Sequence, residues 1–190
     1  MKIKRKLMFT AAGCISAAGI LGGCANPQKE GTAALEEGNY EEALTQFQKA
    51  AESEDSKKSA EGYRGLGMAY YESGEYGKAL EAFQQAVDLG AAETVQLYHL
   101  MASCGIQTWE DEEDYTDVLE YIQAGLALAE TDDSGEVPDE EMIREMKYNE
   151  IICYEKLADW ENARQKAEEY LSEYPDDEAV QKEAEFLKTR

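Results

Sequence analysis

The chain has 190 residues, 31% of them charged and 43% hydrophobic, which fits one ordinary domain or one elongated repeat stack and excludes a large multidomain enzyme. Its 18 basic residues face 41 acidic ones, and four of the basic ones, Lys2, Lys4, Arg5 and Lys6, crowd the first six positions. Past residue 23 the remaining 14 basic residues against 41 acidic give −27, a field that repels phosphate backbones and anionic headgroups, so nucleic acid is excluded as a partner and membrane contact must come from the N-terminus.

The basic start is followed by residues 7–21, apolar, uncharged and ending in small side chains, as in an export signal. At about 15 residues this run is shorter than the roughly 20 a spanning helix needs. Leu21-Gly22-Gly23-Cys24 closes it and resembles the lipobox of bacterial lipoproteins. That resemblance implies diacylglycerol on the Cys24 sulfur, cleavage between Gly23 and Cys24, loss of residues 1–23 and a lipidated tether over 24–29. It also implies a cell-membrane location facing the extracytoplasmic side, on an inner or an outer membrane. Multiple acyl chains at about 0.8 kcal/mol per buried CH₂ make such an anchor effectively permanent. Ala11-Ala12-Gly13-Cys14 is a competing site, weaker because cleavage there would leave the apolar residues 15–21 on the mature protein.

Internal repetition comes next. Gly38, Tyr40, Ala43, Phe47 and Ala50 return as Gly74, Tyr76, Ala79, Phe83 and Ala86, each displaced by 36 residues. Ahead of the second set, Tyr63-x2-Leu66-Gly67-x2-Tyr70 forms the opening helix of the same unit. Together these residues resemble the tetratricopeptide repeat, in which two antiparallel helices cross closely and stack on the next pair. Gly67 and Ala79 are small where helices cross, Tyr70, Tyr76 and Phe83 fill the gaps between them, and Gly74 ends the first helix of its pair as a C-cap. Each pair leaves an apolar face that only stacking covers.

Two weaker copies follow. The third unit opens at Leu97-x2-Leu100 and Cys104 and returns to phase at Tyr115, Val118, Ile122 and Gly125, with its extra residues at the turn around residues 109–114. The fourth carries Ile151, Tyr154, Trp160, Ala163, Ala167 and Tyr170 and closes with Pro175; Glu150 stands where the family usually has leucine. The first unit has a short opening helix over residues 28–37. Asp176 and Asp177 can start a last, capping helix to Lys188, with its acids and bases placed as the helix dipole favours. Long segments of 3.6 period and no alternating pattern give the expected class: an all-α solenoid of about four helix pairs plus a cap over residues 30–190.

Chemistry is hard to find in these residues. His99 is the lone histidine, too little for a metal site, and it reads as a half-exposed helix residue. Cys104 and Cys153 fall at similar levels of consecutive opening helices and read as small buried thiols rather than a bridge. The acids of residues 110–114 and Asp132, Asp133 and Glu136 lack the alternating ligands of a calcium loop and read as solvated turns. No catalytic residue, metal or cofactor is expected beyond the acyl lipid, since helix-face carboxylates in a solvated setting lack the burial that shifts a pKa toward neutrality.

The family resemblance implies a concave groove lined by the first helix of each unit. Carried over residue by residue, it presents Arg64, Met68, Tyr71 and Glu72, then Tyr98 and Ala102, then Tyr148, Ile152 and Lys156, a strip suited to an apolar or mildly basic peptide. Met68 and its acidic neighbours stand where the carboxylate-gripping variant of the family has Lys and Asn, so that clamp is not expected. The expected role is a lipid-anchored scaffold or adaptor with a protein or peptide partner in the cell envelope, its oligomeric state open. A pilotin-like or outer-membrane assembly lipoprotein is an alternative, and a carboxylate-based hydrolase or enzyme accessory is an alternative of another class.

Overall fold

A computed structural model describes residues 26–109, 112–131 and 139–190. The leader, Cys14 and the lipobox with Cys24 lie outside them, as do residues 110 and 111 and the cluster of Asp132, Asp133 and Glu136. Among the described residues the chain forms α1 (Pro27–Glu36), α2 (Tyr40–Ala51), α3 (Ser56–Glu72), α4 (Tyr76–Asp88), α5 (Val95–Thr108), α6 (Glu112–Thr131), α7 (Glu140–Lys156), α8 (Trp160–Glu173) and α9 (Glu178–Leu187), with no strand. No described helix is long and apolar enough to cross a membrane.

Local chemistry explains where the helices start. The side chains of Asn26, Asn39, Asp55, Thr94, Asp139, Asp159 and Asp177 each accept a first-turn backbone N–H, contributing about 1 kcal/mol apiece. The ends of α1 and α3 are set by Gly38 (φ +72) and Gly74 (φ +79). After α3, the Gly74 N–H donates to the Tyr71 carbonyl and the Glu75 N–H to the Tyr70 carbonyl, both at 2.9 Å, the double bond of a Schellman turn. The same pair closes α7, but there Ala158 takes the left-handed position at φ 54.

Packing is pairwise along the stack. Phe47 and Phe83 are buried over α3, which meets them with glycine: a Cβ on Gly65 would lie 2.2 Å from the Phe47 ring, and one on Gly67 2.4 Å from the Phe83 ring. Gly62 crosses α2 against its backbone, since its Cβ would lie 2.3 Å from the Ala51 backbone nitrogen. Ala79 and Ala86 are fully buried, and Tyr70 and Tyr76 are half-buried at the edges of the Phe83 cluster. Phe83 also packs with Leu97, Met101 and Cys104 of the next unit, which is how stacking covers each pair's apolar face. Cys104 and Cys153 are free and buried in separate clusters, and burial pushes both thiols up to about 12.

The third unit departs from expectation in register. Val95, Met101, Ala102 and Cys104 are buried where α3 buries Ala60, Leu66, Gly67 and Ala69, an offset of 35 rather than the 34 implied by matching Leu97 to Tyr63. Helix α5 is therefore rotated by one residue, about 100°, from the sequence reading. Helix α6 is also long, 20 residues against 13 for α4. Its last turns, with Leu126, Leu128 and Ala129, pack with Met142 and Ile143 at the start of α7.

The chain ends under a cap, as expected. Val180, Ala184 and Leu187 of α9 bury against Ala163, Ala167 and Tyr170, and the Tyr170 hydroxyl donates to Asp177 at 2.8 Å. Glu150, in the usual leucine position, is only 4% exposed. Its carboxylate lies 3.4 Å from the Lys166 ammonium, so α7 keeps its expected register with an ion pair in place of an aliphatic contact.

Candidate functional site

Helices α3, α5 and α7 are the first members of consecutive units, and α5 touches α7 directly. Position by position, α3 offers Arg64, Met68 and Tyr71 on this face, all half-buried, with Glu72 exposed. Arg64 and Met68 border a recess of about 70 Å³ that continues onto Gln96, Leu97 and Leu100 of α5. The Tyr71 ring meets that of Tyr76 edge-on at 5.6 Å, an arrangement that fixes an aromatic anchor. Burial raises the Tyr71 pKa, and the charges of Glu145 on α7 and Glu72 add to the shift. One hydroxyl thus senses both α3 and α7.

The one-residue rotation of α5 changes what that helix contributes. Ala102 is 2% exposed inside the cluster of Val95, Val118 and Ile122, so it does not reach the groove surface. Tyr98 is turned onto α6: a Cβ on Gly125 would lie 3.0 Å from the Tyr98 Cβ. Its hydroxyl donates to Glu93 at 2.6 Å, and burial with that carboxylate pushes the phenol up to about 12. His99, Ser103 and Ile106 take their place, equivalent at the 35-residue offset to Arg64, Met68 and Tyr71, and all three are half-buried. His99 Nε2 lies 3.2 Å from Glu145 Oε2, tying α5 to α7 across the groove.

On α7, Tyr148 and Ile152 hold the expected positions and are half-buried. Burial, followed by the charges of Glu183 and Glu155, raises the Tyr148 pKa. Lys156 is exposed and leans toward α6, its ammonium 6.0 Å from the Tyr115 ring. Glu155, equivalent to Tyr71, was missed by the sequence reading. Burial and then the carboxylate of Glu183 on α9 raise its pKa to about 7, against the weaker pull of Lys156, and one of its carboxylate oxygens is buried without a partner. The expectation that helix-face carboxylates stay solvated and ordinary fails at this residue. No sequence signal could have shown it, because Glu183 lies 28 positions away and meets α7 only when the cap docks. Among the described residues no group of three or more His, Cys, Asp or Glu is placed to hold a metal ion.

Comparison with known proteins agrees with this fold. Tetratricopeptide-repeat family models match residues 29–94 and residues 148–177, leaving α5, α6 and the start of α7 between them unmatched. No curated protein matches the chain. Among solved structures, the chain is similar to YrrB, described as a tetratricopeptide-repeat protein with an unusual peptide-binding site, at 19% identity and a TM-score of 0.67 over 85% of this chain and 74% of that one. It is similar to MamA at 15% identity and a TM-score of 0.62, over 83% and 81% of the two chains. A MamA fragment of Desulfovibrio magneticus RS-1 gives 17% and 0.63, over 86% and 82%. At such identities the likeness establishes the fold.

Proposed function

With residues 29–94 and 148–177 being tetratricopeptide repeats of an all-α solenoid, we propose that this chain is a lipid-anchored scaffold that holds an extended peptide segment of a cell-envelope partner along α3, α5 and α7. The observation that carries the reading is the continuous strip of half-buried Met68, Tyr71, Ile106, Tyr148 and Ile152 on the first helices of three consecutive units. Side chains of this kind give contact area at low ordering cost. The neighbouring carboxylates of Glu72 and Glu145 against the charge of Arg64 favour a segment with at least one basic residue. The peptide site in the description of YrrB supports a groove ligand of this type.

The anchor half of the reading rests on the leader and Cys24. Asn26 caps the first helix only two residues beyond Cys24, so a lipid there would hold the groove close to a membrane and present it to partners at that surface. The test replaces Tyr71 or Tyr148 by a photocrosslinking residue in cells. Both positions are expected to trap the same envelope protein, and crosslinks from an exposed position on α8, such as Glu168, should not. Capture of nothing at either groove position overturns the groove reading. Separately, Cys24→Ala is expected to move the protein out of the membrane fraction, and its retention there overturns the anchor.

A further inference from the structure

A second recess lies on another face of the stack. Helices α6, α7 and α8 enclose a cleft of about 490 Å³, within the 300–1,000 Å³ typical of small-ligand sites. It exists because α6 runs seven residues longer than its counterpart α4, so that the end of α6 and the start of α7 overhang α8. Ile143, Lys147 and Glu150, spaced along one side of α7, line it. Glu150 lies two residues from both Tyr148 and Ile152, roughly 200° around the helix from the groove strip, so this recess and the concave groove are separate.

Its chemistry centres on Glu150. This carboxylate is 4% exposed, yet both of its contacts are long: Lys166 Nζ at 3.4 Å from Oε2, and the Gln123 side-chain amide donating to Oε1 at 3.4 Å. Charge-assisted hydrogen bonds close to about 2.7–2.9 Å when unhindered, and Lys147 with Glu173 in the same cleft does so at 2.6 Å. Both partners of Glu150 are shared. Gln123 makes its shorter bond, 2.9 Å, to the Tyr154 hydroxyl, and Lys166 also reaches Glu169 at 3.3 Å. A buried carboxylate held this loosely costs stability where the family's leucine would not. Burial works against the charge of Lys166, but Glu150 and Glu169 more than offset it and keep its pKa above the ordinary lysine value.

We propose that this cleft is a binding site for a primary ammonium group on an apolar stem, with Glu150 as its anion and Lys166 as the internal ammonium that holds the place until the ligand arrives. The charge balance fits. Glu130, Glu150, Glu169 and Glu173 face Lys147 and Lys166, leaving two negative charges in excess. The stem has its own wall, since Leu126, Ala127, Ala129 and Ile143 line the overhang. Two sources share this chemistry: a lysine side chain of a peptide, and a free aliphatic diamine. The site is independent of the groove reading, and neither depends on the other.

The test titrates the full chain, purified in detergent, with cadaverine and with a short blocked peptide carrying one lysine, read by calorimetry, with the acetyl-lysine peptide as control. At least one amine is expected to bind and the acetylated peptide is not; tighter binding of the diamine or of the peptide assigns the source. Glu150→Gln, which keeps shape and loses charge, is expected to weaken binding at least about tenfold. Lys166→Met removes the internal rival and is expected to tighten binding several-fold. Glu150→Leu is expected to melt no lower than the parent while binding nothing, which separates ligand recognition from folding. The proposal is overturned if neither amine binds the parent or the Lys166→Met protein, or if Glu150→Gln binds as well as the parent.

Discussion

Helices α1–α4 and α5–α9 solve the same packing problem with different materials. In the first region glycines on α1 and α3 press against the rings of Phe47 and Phe83, and the turns after α1 and α3 use glycine where φ must be positive. In the second, Gly105 still meets a stiff side chain, its Cβ falling 2.3 Å from Val118, but other positions use flexible or charged groups: Gly125 meets the end of Met146, Glu150 pairs with Lys166, and Ala158 occupies the left-handed turn position. The first region is close to an ideal repeat. The second departs from the repeat over α5, α6 and the start of α7 and returns to it at residues 148–177, and both the overhanging cleft and the Glu155–Glu183 pair lie in this half. Polar groups are buried in both regions, but Gln46 and Ser59 of the first are neutral, whereas the buried carboxylate of Glu150 lies in the second.

The sharpest test of that contrast is a methyl group added at a crossing. Gly62→Ala would place its Cβ against the backbone of Ala50 and Ala51, which cannot move aside without separating α2 from α3. A loss of about 3 kcal/mol is expected, visible as a fall of roughly 6–12 °C in the melting temperature. Gly125→Ala also builds its Cβ too close, 2.5 Å from Met146 Cε, but that contact is the end of an adaptable side chain, and its cost is expected to be about 1 kcal/mol. Equal losses at the two sites would erase the distinction between the regions.

A smaller effect, opposite in sign between the regions, is expected at the turns. Gly74→Ala at φ +79 should cost about 1 kcal/mol, while Ala158→Gly should gain about as much by relieving a left-handed alanine. Denaturant midpoints moving in opposite directions would bear this out; a destabilised Ala158→Gly would refute it.

The smallest effect concerns pH. Glu155 holds its proton up to about pH 7 in the folded chain but releases it near 4.5 when unfolded, so the folded state binds more protons across that window and its stability falls as pH rises through it. Glu155→Gln removes this dependence. The variant is expected to gain on the order of 1 kcal/mol over the parent at pH 7.5 and little at pH 4.5, measured by melts across the range. Parallel pH profiles for the two proteins would rule out the carboxylate pair.

Much of the architecture was legible from residues alone. The 36-residue recurrence from Gly38 to Ala86 located α2 and α4 and named their contact residues, because a ring the size of phenylalanine fits between two helices only where the facing position is glycine or alanine. Helix α7 is the hardest to register from sequence, with Glu150 where leucine is usual, and the structure keeps the expected register by burying Ile151 and pairing Glu150 with Lys166. Helix α5 was misread by one residue. Matching Leu97 and Leu100 to Tyr63 and Leu66 set the wrong rotation, although Gln96, His99 and Ser103, spaced i, i+3, i+7, share the one polar face of this segment and mark the rotation the structure adopts. The error placed Tyr98 and Ala102 in the groove and hid His99, Ser103 and Ile106.

By itself, then, the order of amino acids determined the class, the helix ends and the aromatic anchors, all of which depend on neighbours within a few turns of chain. Tertiary structure alone decided the His99–Glu145 bridge, the raised pKa of Glu155 and the cleft around Glu150. Each of these depends on groups from separate helices arriving within a few ångströms of one another, and Coulomb and packing energies change steeply over that range while spacing along the chain carries no record of it.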